Sequence, residues 1–198
     1  MSEVVLIRTG TANLASVTAA FQRTGCDIRV SESADDAVNA ERLVLPGVGA
    51  FGAVAERMDA LGLREPLRER IRAGRPTLAI CLGLQMLAEG SAESPGAAGL
   101  GVLPITATPL ADGVRRPQLG WNRVTAGVGC RLLSDGTAYF ANSFKLDAVP
   151  DGWSGAMVDH GGAFVAAIER GPVLACQFHP ELSGAWGQAL VERWLEAV

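Results

Sequence analysis

The chain has 198 residues, with 17 Lys and Arg against 21 Asp and Glu, and a formal net charge of −4. With 48% hydrophobic and 19% charged residues it can bury a core of ordinary domain size; this excludes a disordered chain, and the lack of a basic balance argues against a nucleic-acid ligand. The uncharged run Ser94–Ala111 is broken by Pro95, Pro104 and Pro109, so no spanning helix and no membrane association are expected, and MSEVVLIRTG reads as a first strand of a cytoplasmic protein, not as a leader.

In chain order, Glu3–Ile7 is an apolar strand, and the loop Arg8–Asn13 leads to a helical pattern over Leu14–Thr24, with Gly25 following as its C-terminal glycine. Asp27–Ser31 is a second strand. Ser33–Ala40 is a short helix capped by Ser33, and Arg42–Leu45 is a third strand. A glycine-rich turn, Pro46–Gly52, precedes a long helical region reaching Ala73, broken near Gly62; the strand Thr77–Ile80 comes next. The second half carries strand candidates at Leu103–Thr106, Arg123–Thr125, Ala138–Ala141, Phe164–Glu169 and Val173–Phe178, and closes with a helix over Gly184–Ala197. Alternating strands and helices with short connections predict an α/β fold: a flavodoxin-like, mostly parallel central sheet flanked by helices, with additional antiparallel strands in the second half. No repeat or linker interrupts it, so residues 1–198 are expected to form one domain.

Such sheets bind ligands beyond the carboxyl ends of their strands, where Pro46–Gly52 and Cys81 both fall. In Thr77-Leu78-Ala79-Ile80-Cys81-Leu82-Gly83-Leu84-Gln85, an apolar strand runs into Cys81 with a small residue two places to either side and a helical run directly after. That is the pattern of a nucleophile elbow, which lifts one side chain above the sheet at a helix N-terminus; taken alone, the segment more often marks a buried cysteine acting only as a small hydrophobe. The other cysteines, Cys26, Cys130 and Cys176, form no CxxC pair with it, so thiols in a reducing compartment are expected and no metal site. The chain has two histidines. His179 follows an apolar strand and has Glu181 two positions on across Pro180, a spacing that lets a carboxylate fix the tautomer of the imidazole. His160, in Asp159-His160-Gly161-Gly162, reads as a turn residue. Three glycines after the third strand make Gly47–Gly52 a weak phosphate-cradle signal, lacking the P-loop lysine, but beside a nucleophile such a loop can form an oxyanion hole, worth about 10²–10³ in turnover per donor.

The segments PGVGAF, CLGLQ and QFHPE, in this order, resemble the class I glutamine amidotransferases, and the likeness is closest to the glutaminase subunits of imidazole glycerol phosphate synthase in histidine biosynthesis. Thr9-Gly10-Thr11-Ala12-Asn13-Leu14-Ala15-Ser16-Val17 is similar to the opening loop and first helix of those subunits, and Pro117-Gln118-Leu119-Gly120-Trp121-Asn122 to their Pro-His-x-Gly-Trp-Asn signature. The resemblance implies that Cys81 attacks the side-chain amide of L-glutamine to form a γ-glutamyl thioester, that His179 moves the protons, and that Glu181 orients His179. It places oxyanion donors at the Leu82 N–H and in Gly47-Val48-Gly49, with Val48 as the second donor. It assigns Gln85 and the backbone of Ser143 and Phe144 to the amino-acid end of glutamine. It implies no cofactor and a heterodimer with a (β/α)₈ cyclase subunit, which uses the ammonia to form imidazole glycerol phosphate and AICAR; Asn13 and Trp121 match family positions at that interface.

Six positions depart from the family pattern: Ala79 replaces the elbow glycine, Gln118 and Asn142 stand where histidine is usual, Phe144 stands where tyrosine is usual, Leu182 replaces a basic residue that pairs with the partner, and Arg8 stands where Asp is frequent. None touches Cys81, His179 or Glu181. The same residues also fit a glutaminase serving another synthase, such as one for sugar amidination, and a catalytically silent regulatory subunit on the same fold; a cysteine peptidase on a similar scaffold is a third reading.

Overall fold

The computed structural model describes residues 3–10 and 13–197. Thr11 and Ala12, part of the opening loop that carried the family likeness, lie outside the described residues. The first half follows the expected alternation closely: β1 (Glu3–Ile7), α1 (Leu14–Gln22), β2 (Asp27–Ser31), α2 (Ala34–Asn39), β3 (Arg42–Gly47), α3 (Phe51–Ala60), α4 (Arg64–Arg72), β4 (Thr77–Cys81) and the short α5 (Leu82–Met86). Local chemistry sets these boundaries. Ser33 caps α2 by accepting from the Asp35 and Asp36 N–H groups. Gly62, at φ +64°, breaks α3 from α4, and Gly25, at φ +78°, follows the end of α1.

The second half holds β5 (Gly90–Ser91), β6 (Thr106–Pro109), β7 (Gln118–Ala126), β8 (Gly136–Asn142), β9 (Phe144–Lys145), β10 (Ser154–Asp159), β11 (Ala163–Arg170), β12 (Val173–Cys176) and α6 (Gly184–Glu196). Nine strands form one sheet in the order β2-β1-β3-β4-β12-β11-β10-β7-β8, and β5-β6-β9 form a small second one. From β2 to β12 neighbours are parallel; from β12 to β8 they are antiparallel. The expectation of a parallel helix-flanked sheet with antiparallel additions is met.

The strand expected at Leu103–Thr106 sits three residues later: Leu103 packs into the core from a loop, and the pairing segment is Thr106–Pro109, on β5 and β9. β10 carries no strand signal in the sequence and arises by pairing with β11. β12 ends at Cys176, short of the expected Phe178, because the chain leaves β4 there and crosses to β8.

Period-two alternation divides the core between the two sheet faces. Val5, Ile7, Leu43, Leu45 and Ala79 meet α2, α3 and α4 on one face. Val4, Leu6, Val44, Leu78 and Ile80 meet α1 and α6 on the other, where Phe21 and Trp194 pack edge to face at 6.1 Å. Each fully buried Leu, Val or Phe contributes about 1.5–3 kcal/mol, which fixes the strand register and with it the site at the carboxyl end of the sheet. No helix among the described residues is long and apolar enough to cross a membrane.

Candidate active site

Cys81 is the last residue of β4 and has φ +55°, the one positive φ at a non-glycine among the described residues. Such a conformation costs on the order of 1–3 kcal/mol and persists only where its surroundings enforce it. Here they are backbone: a Cβ on Gly83 would lie 2.2 Å from the Leu45 carbonyl oxygen, and one on Gly47 would lie 2.8 Å from the Gly83 nitrogen. The turn can form only because β3 and α5 touch without side chains between them. Ala79, at this departure from the family, is fully buried within a regular β4, and the glycine that the backbone contact demands is Gly83. The helix that follows is five residues long, so its dipole is short, and charge at Cys81 depends more on side chains nearby.

His179 is carried there by β12, which runs parallel beside β4 with Cys176 opposite Ile80. Its backbone N–H donates to the Tyr139 carbonyl at 2.9 Å, and the Ser183 hydroxyl donates to the His179 carbonyl at 2.6 Å while accepting the Tyr139 N–H at 3.0 Å. The 3₁₀ turn Pro180–Leu182 curls Glu181 back so that its Oε1 lies 2.8 Å from His179 Nδ1, with both side chains buried. Burial pulls the imidazole pKa down, but hydrogen bonds to Cys81 and Glu181 and their charges outweigh it and raise it to about 10. The ring is therefore held as imidazolium between the sulfur and the carboxylate. Cys176, in contrast, is fully buried, and burial pushes its thiol well above its ordinary range.

Cys81 and His179 open on a cavity of about 270 Å³. Val48, Gly49, Leu82, Gln85, Ser143 and Phe144 all line it. Gly47 does not; as the last residue of β3, opposite Cys81 in register, it packs beneath the elbow. The Leu82 N–H is a first-turn donor for which α5 has no internal acceptor. Asn13 caps α1, its Oδ1 accepting the Ser16 N–H at 3.2 Å. Trp121 lies outside the cavity, 59% exposed on the outer face of β7, with its ring edge against Tyr139. His160 is remote from the site, its Nε2 3.0 Å from the Arg115 carbonyl. Arg8 pairs with Glu32 at 2.7 Å. Gln118 and Asn142 face each other across β7 and β8, each with a buried carbonyl oxygen that no protein group meets.

Three residues of the site escape sequence reasoning. Glu93 lines the cavity and caps α3 by accepting the Phe51 N–H at 2.7 Å, placing a carboxylate where a ligand ammonium can reach it. Ser183 clamps His179 as described. Gln177, with no exposed surface, points its Nε2 at the Cys81 sulfur, 3.7 Å away. Of these only Gln177 lay within a quoted motif, as the first letter of QFHPE. Among the described residues no group of three or more His, Cys, Asp or Glu is placed to hold a metal ion.

A strained cysteine, a buried imidazolium locked by a carboxylate, and backbone N–H groups around a small cavity are the equipment of acyl transfer through a thioester. Residues 5–197 match the family Glutamine amidotransferase class-I, and the chain belongs to that family. Within it the chain is 40% identical over 195 residues to the Imidazole glycerol phosphate synthase subunit HisH of Deinococcus radiodurans, covering 96% of this chain and 91% of the relative. It is 36% identical to the chloroplastic Imidazole glycerol phosphate synthase hisHF of Arabidopsis thaliana, covering 98% of this chain and 34% of that longer protein. Among solved structures, a glutamine amidotransferase at 21% identity superposes with a TM-score of 0.77 over 98% of this chain and 97% of the other, a likeness of fold.

Proposed function

We propose that this chain is the glutaminase subunit of an imidazole glycerol phosphate synthase, one amidotransferase domain over residues 1–198, working in the cytoplasm with a (β/α)₈ cyclase subunit. The observation that carries the reading is the alignment of Cys81, His179 and Glu181 at the carboxyl ends of two adjacent strands, with Nδ1 of the ring already committed to the carboxylate at 2.8 Å. The other ring nitrogen is then the one that serves the sulfur.

The sulfur attacks the side-chain amide carbon of L-glutamine. The carbonyl oxygen gathers negative charge, which the N–H of Leu82 and one from the Val48–Gly49 loop neutralise. His179 gives its proton to the departing ammonia, leaving a γ-glutamyl thioester and a neutral imidazole. That imidazole removes a proton from water, hydroxide adds to the thioester, and glutamate leaves as the sulfur is released. Glu181 keeps the ring in one orientation throughout. Gln85, Glu93 and the Ser143–Phe144 backbone hold the amino-acid end of the substrate.

Ammonia then passes to the cyclase. Support for docking near His179 comes from the exposed apolar side chains Leu119, Trp121 and Leu182; Trp121 reaches toward Gly184, two residues beyond Leu182. Asn13 belongs to the same end of the molecule, because α1 packs on the Pro180–Leu182 turn. Leu182 replaces an ion pair with apolar contact at this surface.

The test is glutamate release from L-glutamine by the purified chain, alone and with an imidazole glycerol phosphate cyclase subunit and its nucleotide ligand. Slow release alone and strong activation in the complex are expected. Equal rates in both conditions point to a glutaminase for a different synthase, and silence in both to a regulatory subunit.

A further inference from the structure

We propose that Gln177 is a positioning residue of the cysteine site: its buried carboxamide donates to the Cys81 sulfur and accepts from Gln85, so one amide sets both the nucleophile and the substrate-facing glutamine. The mechanism above assigns Gln177 nothing, yet no part of it is exposed and both ends of its amide meet site residues. Its Oε1 accepts from Gln85 Nε2 at 3.0 Å, and its Nε2 lies 3.7 Å from Cys81 Sγ. Gln85 Nε2 also donates to the Phe144 carbonyl at 3.1 Å.

These contacts fix the direction of both amides. Gln85 Nε2 has two protons, and both are used, one on Phe144 and one on Gln177. Reversing Gln177 would set one NH₂ group against another in a dry site, leaving buried donors unsatisfied. The observed direction turns an N–H toward the sulfur and so holds the nucleophile in one orientation. It also leaves Gln85 Oε1 as the polar atom available to a ligand, so Gln85 meets substrate as an acceptor. The backbone holds the arrangement in place, since the Gln177 N–H donates to the Ala166 carbonyl at 2.8 Å on β11. Gln177 thus links the backbone of the substrate strand, at Phe144, to the sulfur through two carboxamides.

The inference rests on the proposed function only in taking Cys81 as the reactive thiol, and alkylation reads that thiol without any substrate. The experiment follows alkylation of Cys81 by iodoacetamide in the full chain between pH 5 and 10, located by peptide mass. In Gln177→Met, a near-isostere, the rate at pH 7 is expected to fall about 3- to 10-fold, the effect of one hydrogen bond, and the pH of half-maximal rate to move upward. Gln85→Met is expected to raise KM for L-glutamine and to move the alkylation profile much less. A Gln177→Met protein with native circular dichroism and a wild-type alkylation profile would overturn the inference. Should that variant not fold, the side-chain ¹⁵N resonance of Gln177 in the wild-type protein decides: a shift on alkylation of Cys81 supports the contact, and an unmoved resonance contradicts it.

Discussion

β4 and β12 lie side by side, run in the same direction, and each ends on a cysteine, yet the two ends do different work. Cys176 continues the regular strand and is enclosed completely, where desolvation keeps its thiol protonated. Cys81 turns out of the strand at φ +55°, keeps 6% of its surface in a cavity, and faces an imidazolium. Burial among apolar neighbours is common to both. What separates them is a backbone turn that only Gly83 and Gly47 permit, and the arrival of His179 three residues after Cys176 on the neighbouring strand. Reactivity here is a property of the turn and of the neighbouring histidine, not of a cysteine at a strand end.

The sharpest way to break this contrast is to remove each thiol in turn. Cys81→Ala is expected to lower glutamine hydrolysis by more than about 10³-fold while ammonia-dependent synthesis by the cyclase complex continues. Cys176→Ala should leave hydrolysis within about twofold and cost on the order of 1 kcal/mol of stability in denaturant unfolding. Loss of both activities in Cys81→Ala would mean that assembly had been damaged instead.

The next effect concerns the partner of the base. Glu181→Gln keeps the shape of the side chain but loses the charge that holds His179, and turnover is expected to fall on the order of 10²-fold with KM little changed. Wild-type turnover in that variant would remove Glu181 from the mechanism. Gly83→Ala attacks the turn itself: its new methyl group meets the Leu45 carbonyl, so unfolding experiments should show a loss of about 1–3 kcal/mol along with slower alkylation of Cys81.

The pH dependence is the gentlest test. The folded-state pKa of His179, about 10, lies above its ordinary 6.5, so the stability its charged contacts contribute is complete below pH 6.5 and is lost as pH rises toward 10. The stability difference between wild type and His179→Ala, measured by denaturant unfolding, should be largest near pH 6 and shrink through pH 8 to 10. Turnover should decline on the alkaline side over the upper part of that range.

The parallel half was legible because each element there carries its own local signal. Ser33 marks a helix start, Gly62 a break, and Val-Val-Leu-Ile a buried strand. β4 and its turn were legible for the same reason: small residues flank Cys81 at the places where backbone meets backbone. The antiparallel half was harder. Ser154-Gly155-Ala156 has little intrinsic strand preference, and β10 exists because β11 and β7 supply hydrogen bonds on both sides, with a register shift at Ala156/Met157 that also spoils the alternation.

The site divides in the same way. Glu181 was visible because it is two residues from His179. Glu93, Ser183 and the sulfur contact of Gln177 depend on which strands become neighbours, and sequence spacing contains no sign of that. Ala79 shows the converse: it looked like a compromise at the elbow, yet β4 is regular and fully buried with alanine at that position.

The most direct test of the central claim, that Cys81 and not its buried counterpart is the nucleophile of a glutaminase, is covalent trapping. The chain, in complex with its cyclase, is treated with a diazo-ketone analogue of L-glutamine and digested for peptide mass mapping. A single adduct on Cys81, blocked by excess L-glutamine and absent in His179→Ala, is the result predicted. An adduct on Cys176 or elsewhere, or an unmodified Cys81 in the assembled complex, would contradict the account.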